Sequence, residues 1–186
     1  EFHQCPHCPL DIATDPFCPL AANLVSIVRR FDGLFSYDRI RVDVITEERR
    51  ISQFTTVQKG ISSMMGLIIA TCGSPHTAFF KPMGRFHLPL ASNEETVFRA
   101  TSMYLLAQYF LKMEGRHADL ELEGLTKIYH NIQIVNAAIA NRLRSASMSD
   151  SSINAIIILD NFAKNLPYAI EKSLKNLRYL FSPFLT

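Results

Sequence analysis

Apolar residues recur with helical spacing through most of the chain. From residue 56 onward they return every three or four positions, which is the period of an amphipathic α-helix. The clearest case lies between residues 120 and 146, where five apolar residues form a seam typical of a helical bundle: Leu125, Ile128, Ile132, Val135 and Ile139. The sequence therefore predicts a mainly α protein, a bundle of about five to six helices.

A different period interrupts the helices between residues 38 and 55. Ile40, Val42 and Val44 alternate with charged residues, as in a β-strand with one buried face. A charged turn at 47–50 and a short segment at 51–55 complete a predicted β-hairpin. The helix predicted next, over 56–71, ends before Gly73. Small residues recur on it, and we expect them to allow close helix packing: Ser62, Gly66 and Ala70.

The helix after Ser92 is predicted to lie at the centre of the bundle. Ser92 and Glu95 form a capping-box pattern, and the following residues are apolar on nearly every side. We expect one shared core from six residues: Phe98, Leu105, Ile132, Val135, Ile157 and Leu174.

Two polar features stand out in these helices. Arg99 is expected either to extend to solvent or to pair with a buried carboxylate such as Asp160. Pro167 is expected to interrupt the helix that follows residue 150, because proline lacks the amide hydrogen that helices use.

Composition limits the classes of function. With 186 residues and 48% hydrophobic content, the chain fits one helical domain over 1–186, with a loop at 1–19, the hairpin at 38–55 and the bundle at 56–186. Charged residues make up 19% and the net charge is +2, so no nucleic-acid partner is expected. No apolar run suggests a membrane span. The partner is expected to be a protein or a small molecule, and homo-oligomerisation is left open.

Three of the four cysteines lie in the first nineteen residues, and each precedes a proline. Cys5 and Cys8 have the C-x2-C spacing that directs two thiolates at one ion, and Cys18 supplies a third at a helix start. A redox pair or a disulfide is the less favoured alternative. The pattern predicts a closed metal site with zinc as the cofactor, and an iron–sulfur cluster is the competing interpretation.

The fourth metal ligand is open on this reasoning. The distant candidates are Cys72 and His76, which follow the 56–71 helix, and the local candidates are His3 and His7. A distant ligand would tie the N-terminal loop to the bundle.

A second candidate site lies on the long connection between residues 74 and 95. Two imidazoles, one guanidinium and two carboxylates fall there among phenylalanines, a mixture that suits a pocket wall or acid–base chemistry: His76, Arg85, His87, Glu94 and Glu95. Residues 73–91 are predicted to be irregular.

Three stretches resemble an uncharacterised family of bacterial proteins, a domain of unknown function. They are Glu1-Phe2-His3-Gln4-Cys5-Pro6 through Cys18-Pro19, Pro75-His76-Thr77 through Arg85-Phe86-His87-Leu88-Pro89, and 94–109. The resemblance implies a bacterial, cytoplasmic protein with a segment preceding Glu1, and it transfers no catalytic residue.

These observations favour a metal-binding helical domain whose Cys-rich site is structural and whose role is interaction or regulation. The alternatives are a small enzyme or ligand-binding protein with its site on the 74–95 loop, and an iron–sulfur redox or sensor protein. Whether the chain catalyses a reaction is left undecided. Reduced thiols beside a metal motif favour the cytoplasm.

Overall fold

The computed structural model describes residues 3–5, 8–31, 33–146 and 150–185, so the candidate ligand His7 lies outside it. The elements are α1 (Pro19–Arg30), β1 (Arg39–Ile45), β2 (Arg50–Thr56), α2 (Val57–Thr71), α3 (Lys81–Arg85), α4 (Asn93–Met113), α5 (Glu123–Ala146) and α6 (Asp150–Leu177), with 3₁₀ segments at Pro75–Phe80 and Arg178–Phe184. The prediction of a mainly α protein with one β-hairpin is confirmed. The 73–91 connection is more regular than expected, because it holds a 3₁₀ segment and α3.

The hairpin packs against α2. Its strands pair antiparallel over their full length, and Ile40 and Val42 point their side chains toward Gly60 of the helix. A Cβ on Gly60 would lie 3.2 Å from Val42 and 3.3 Å from Ile40, so glycine permits this close approach. Strand β2 ends at Thr56 and α2 begins at Val57, so the strand passes into the helix without a loop.

The core of the bundle is divided into two buried clusters. The first joins α1 and α2 to the C-terminal half of α5 and the N-terminal half of α6. The second joins α4 to the opposite halves of α5 and α6. The structure contains the seam of α5: Leu125, Ile132, Val135 and Ile139 are buried, and Ile128 is partly buried. Ile132 and Val135 nevertheless fall in different clusters, because the seam crosses from one core to the other.

Helix α4 lies at the edge of the bundle, and its predicted central position is wrong. Phe98 is 44% exposed and Leu105 is 38% exposed. The buried row of this helix instead includes Ala100 and Tyr104. A helix that is apolar on all sides carries no periodic signal for its inner face, and here the face that contains Ala100 and Tyr104 packs inward.

Helix α6 continues through Pro167, so the predicted interruption is also wrong. Proline costs the helix interior about 3 kcal/mol when nothing compensates for the lost hydrogen bond. The carbonyl that Pro167 leaves without a helix donor belongs to Ala163, and a side chain of α5 bonds to it.

Candidate ligand-binding site

A pocket of about 570 Å³ lies between α2, α5 and α6, next to the segment that joins α3 to α4. Its lining residues come from both core clusters, for example Leu159 from the first and Ala163 from the second. The pocket therefore occupies the junction between the two cores. Its volume falls within the roughly 300–1,000 Å³ typical of small-molecule sites.

Most of the pocket wall is apolar. Three aromatic rings form a continuous edge-to-face group, with centroids 5.4 Å apart for Phe80 and Tyr129 and 6.0 Å apart for Tyr129 and Phe162. Edge-to-face geometry is a favourable arrangement of aromatic rings. The aliphatic and thioether side chains of the wall are Ile69, Met83, Leu88, Leu90, Ile132, Ile158 and Leu159.

The small residues of α2 form another part of the wall. Ser62, Gly66 and Ala70 line the pocket, although the sequence suggested that they serve helix packing. A Cβ placed on Gly66 would meet its nearest neighbour, Cδ2 of Leu159, at an ordinary contact distance of 3.8 Å. The missing side chain at Gly66 therefore leaves space beside α6.

Arg99 of α4 places a positively charged guanidinium in the wall, and hydrogen bonds hold it there. Its Nη2 donates to the carbonyl oxygens of Met83 at 2.9 Å and Phe86 at 2.8 Å. Within the described residues, no carboxylate pairs with Arg99. The expected partner Asp160 instead binds Lys164, one turn away on α6, so that pairing hypothesis is wrong. Burial lowers the pKa of Arg99, but a guanidinium remains charged at neutral pH.

His87 and Tyr129 stand near Arg99 in the same wall. Burial, and then the charge of Arg99, lowers the pKa of His87 below its usual 6.5. The imidazole is therefore neutral at pH 7. Burial raises the pKa of Tyr129, so its hydroxyl also stays neutral. This part of the pocket wall thus holds the positive charge of Arg99 beside two mostly neutral groups that can form hydrogen bonds.

Asn136 of α5 is a buried amide in the pocket wall. The residue is 1% exposed, and neither its Oδ1 nor its Nδ2 has a hydrogen-bond partner among the residues described. An amide left unpaired in the interior costs about 1–3 kcal/mol. This residue has no evident role in packing that requires an amide.

Two sets of hydrogen bonds fix the backbone of the segment before α4. The amide of Leu90 donates to Oγ of Ser63 at 2.8 Å and holds Leu90 in the left-handed region, with φ of 59°. The capping box is confirmed: the amide of Ser92 donates to Oε2 of Glu95 at 2.7 Å, and the amide of Glu95 donates to Oγ of Ser92 at 3.2 Å. The bond from the amide of Ser92 engages the carboxylate of Glu95 and is the largest cause of its lowered pKa.

Of the five residues predicted on the 74–95 loop, one lines the pocket, namely His87. Arg85 is exposed, with its guanidinium carbon 5.7 Å from the centre of the Phe86 ring. Glu94 is exposed, Glu95 belongs to the capping box, and His76 is half-buried in the 3₁₀ segment. The segment does form part of the pocket wall, but apart from His87 its lining residues are not the predicted ones.

The four cysteines are free thiols. The amide of Cys8 donates to the carbonyl of Cys5 at 3.0 Å, which closes a turn, and both Cys5 and Cys18 are buried. Sγ of Cys72 donates to the carbonyl of Ile69 at 3.4 Å. In residues 3–5, 8–31, 33–146 and 150–185, no three His, Cys, Asp or Glu side chains are grouped to hold a metal ion. The zinc site therefore stays a prediction.

Sequence reasoning missed Tyr129 and Asn136 and did not place Arg99 in a pocket. One signal for Asn136 was available. It lies four residues after Ile132 and three before Ile139, on the buried seam of α5, where an amide needs a partner. The signal for Arg99 was its position as a single cation in an apolar stretch.

The fold and the pocket define a helical domain with a site of small-molecule size at the junction of its two cores. The chain belongs to the family described as Domain of unknown function (DUF6901), whose model matches residues 1–182. No curated protein and no solved structure matches the chain. Within the part of the chain that the structure describes, no helix has both the length and the apolar character needed to cross a bilayer.

Proposed function

We propose that this domain binds a small, largely apolar molecule in the pocket between α2, α5 and α6. The observation that carries the proposal is the amide of Asn136, which is buried in the pocket wall without a partner among the described residues. A polar group on a bound molecule would supply the missing hydrogen bond and remove a cost of about 1–3 kcal/mol.

The composition of the wall supports the same function. A few polar groups converge on a mainly apolar surface, which is the usual composition of a small-molecule site. A packed core would place large side chains where Ser62, Gly66 and Ala70 stand, and a leucine would fill the place of Asn136 without burying an amide. Binding accounts for these choices, whereas packing alone does not.

The neutral dye N-phenyl-1-naphthylamine provides a direct test, because its fluorescence rises in an apolar site. We expect saturable binding with one site per chain. The variant Gly66→Leu should abolish it, because three carbons beyond Cβ would enter the pocket. The variant Gly66→Ala is the matched control and should still bind, since its Cβ meets only Leu159 at 3.8 Å.

Two results would overturn the proposal. One is the absence of saturable dye binding to folded protein. The other is equal binding to the parent and to Gly66→Leu, which would place the dye elsewhere. Circular dichroism of each variant establishes that the fold is retained.

A metal site at Cys5, Cys8 and Cys18 is a second proposal. It is supported by the turn between Cys5 and Cys8 and by the position of Cys18 as the residue before α1, where a helix N-terminus favours a thiolate. Zinc is the proposed ion, with an iron–sulfur cluster as the alternative. Cys72 or His76, or a local histidine, would complete the ligands, and the ion would have a structural role.

Elemental analysis of freshly purified, reduced protein tests this second proposal. One equivalent of zinc that is lost in Cys5→Ser and retained in Cys72→Ser would assign the site to the N-terminal loop. Absorption in the visible would instead indicate an iron–sulfur cluster. Protein without stoichiometric metal, in which Cys5 and Cys8 are alkylated at once, would exclude the proposal.

A further inference from the structure

We propose that the molecule bound in the pocket is a monocarboxylate with an apolar body, whose carboxylate binds the guanidinium of Arg99. This inference rests on the proposed function and specifies the chemical class of the ligand. Three features of the wall favour this class of ligand: the donors that Arg99 leaves available, the charge of the wall, and the apolar surface that remains for the rest of the ligand.

The hydrogen bonds of Arg99 leave some of its donors available. Both bonds to backbone carbonyls come from Nη2, and they connect the guanidinium to Met83 and Phe86 at 2.9 and 2.8 Å. Nε and Nη1 make no hydrogen bond to the described residues. A guanidinium carries five donors in a fixed plane, and Nη2 uses both of its own on these two carbonyls, so a carboxylate can accept one charge-assisted bond from Nε or from Nη1. The two carbonyls thus fix the group in place before an anion binds.

The charge of the wall is positive. Lys59, His87 and Arg99 line the pocket, whereas no aspartate or glutamate does so among the described residues. Ser92 and Asn93 add the N-terminal end of α4, which carries partial positive charge. The carboxylate of Glu95 has a small electrostatic effect on Arg99, and it already accepts the amide of Ser92. The field in the pocket therefore favours an anion.

The number of fixed charges in the wall favours a carboxylate over a phosphate dianion. Among the described residues of the wall, Arg99 is the cation held in place by hydrogen bonds, while Lys59 is exposed and His87 is mostly neutral at pH 7. One fixed charge matches a monoanion, whereas a dianion would leave a charge buried without compensation. Beyond Arg99, the group formed by Phe80, Tyr129 and Phe162 presents apolar surface, so the body of the ligand is hydrocarbon or aromatic apart from the polar group that pairs with Asn136.

Competition against bound N-phenyl-1-naphthylamine tests the inference with three molecules that share one chain: octanoate, 1-octanol and octylammonium. Octanoate should displace the dye at about ten- to a hundred-fold lower concentration than octanol, as expected for a hydrogen bond to a charged group. Octylammonium should be the weakest competitor. In Arg99→Met, octanoate should fall to the level of octanol or below.

Arg85→Met is the matched control, because Arg85 is an exposed arginine at the end of α3 that does not line the pocket. It should keep the preference for octanoate. Dye binding serves as an internal check that Arg99→Met retains the pocket. If Arg99→Met does not fold, nuclear magnetic resonance of the arginine Nε–H groups of the parent tests the inference instead. One Nε–H signal should shift when octanoate is added and should not shift with octanol. The same signal should still be present in Arg85→Met.

The outcomes separate the two proposals. Equal potency of octanoate and octanol on the parent would overturn the carboxylate inference while leaving dye binding intact. A preference that persists in folded Arg99→Met, or the absence of a responding arginine signal, would overturn it as well. If the dye does not bind at all, the proposed function fails with it.

Discussion

Gln133 and Ala163 are joined by a hydrogen bond between two helices: Nε2 of Gln133 donates to the carbonyl oxygen of Ala163 at 3.2 Å. That carbonyl would normally accept the amide of residue 167, which is proline and has none. The side chain of α5 therefore replaces a backbone donor of α6. This relationship explains how α6 continues through Pro167, and Ala163 itself lines the pocket.

The substitution of Gln133 should reveal this coupling. Gln133→Leu should lower the free energy of unfolding by about 1–3 kcal/mol, because it leaves a carbonyl of Ala163 unpaired. In a Pro167→Ala background the backbone donor returns, so the same substitution should cost about 0.5 kcal/mol or less. Denaturant unfolding of the four proteins gives the coupling energy. Equal costs in both backgrounds would show that the bond does not compensate for Pro167.

Gly124 should tolerate no side chain. A Cβ at this position would lie 2.0 Å from Oη of Tyr104, which donates to Oδ2 of Asp119 at 2.7 Å. Gly124→Ala should therefore destabilise the protein by about 1–3 kcal/mol. The matched control Gly66→Ala meets no close neighbour and should stabilise by up to about 1 kcal/mol, since alanine favours helix. Thermal unfolding that ranks the two variants in the opposite order would contradict this account.

His87 should titrate below pH 6.5 in the folded protein, because burial and Arg99 both disfavour its charged form. Its pKa is lowered on folding, so its stabilising contribution is present above pH 6.5 and is lost as the pH falls through the folded value. Arg99→Met should raise the pKa only in part, since burial is the larger cause. The imidazole C–H signals, assigned with His87→Asn, measure it. A midpoint at or above 6.5 would refute the prediction.

Asn136→Leu should stabilise the ligand-free protein by about 1–3 kcal/mol, because it removes a buried amide that has no partner in the described residues. The control is Asn154→Leu. Nδ2 of Asn154 donates to Oγ of Ser36 at 2.7 Å, so this variant should be destabilised. Chemical denaturation compares the two. Destabilisation of Asn136→Leu would mean that the amide has a structural role.

Features encoded by neighbouring residues could be predicted from the sequence. Three patterns can be recognised from the residues of one element, and the structure contains all of them: the capping box of Ser92 and Glu95, the strand alternation around Val42 and the α5 seam. The helix end before Gly73 belongs to the same group, since Gly73 adopts a positive φ of 82°.

Features that depend on distant residues could not be predicted. Phe98 and Leu105 have the composition of core residues, but the packing partners of α4 decide which face is buried. The pocket combines α2, the α3–α4 segment, α5 and α6, and no short motif connects them. Pro167 has the same explanation, because its compensation comes from Gln133, 30 residues before Ala163.

The left-handed backbone of Leu90 bears on the time a bound molecule stays in the pocket. This conformation costs a residue other than glycine on the order of 1–3 kcal/mol, and the bond from its amide to Ser63 maintains it. Leu90 lines the pocket, so the strain is stored in a part of the wall. Where a movement of this segment out of the wall relieves the strain, the activation free energy of that movement is lower by part of the strain energy. If a molecule binds in the pocket as proposed, Ser63→Ala should therefore shorten its residence time, because the serine hydroxyl of α2 no longer holds this part of the wall.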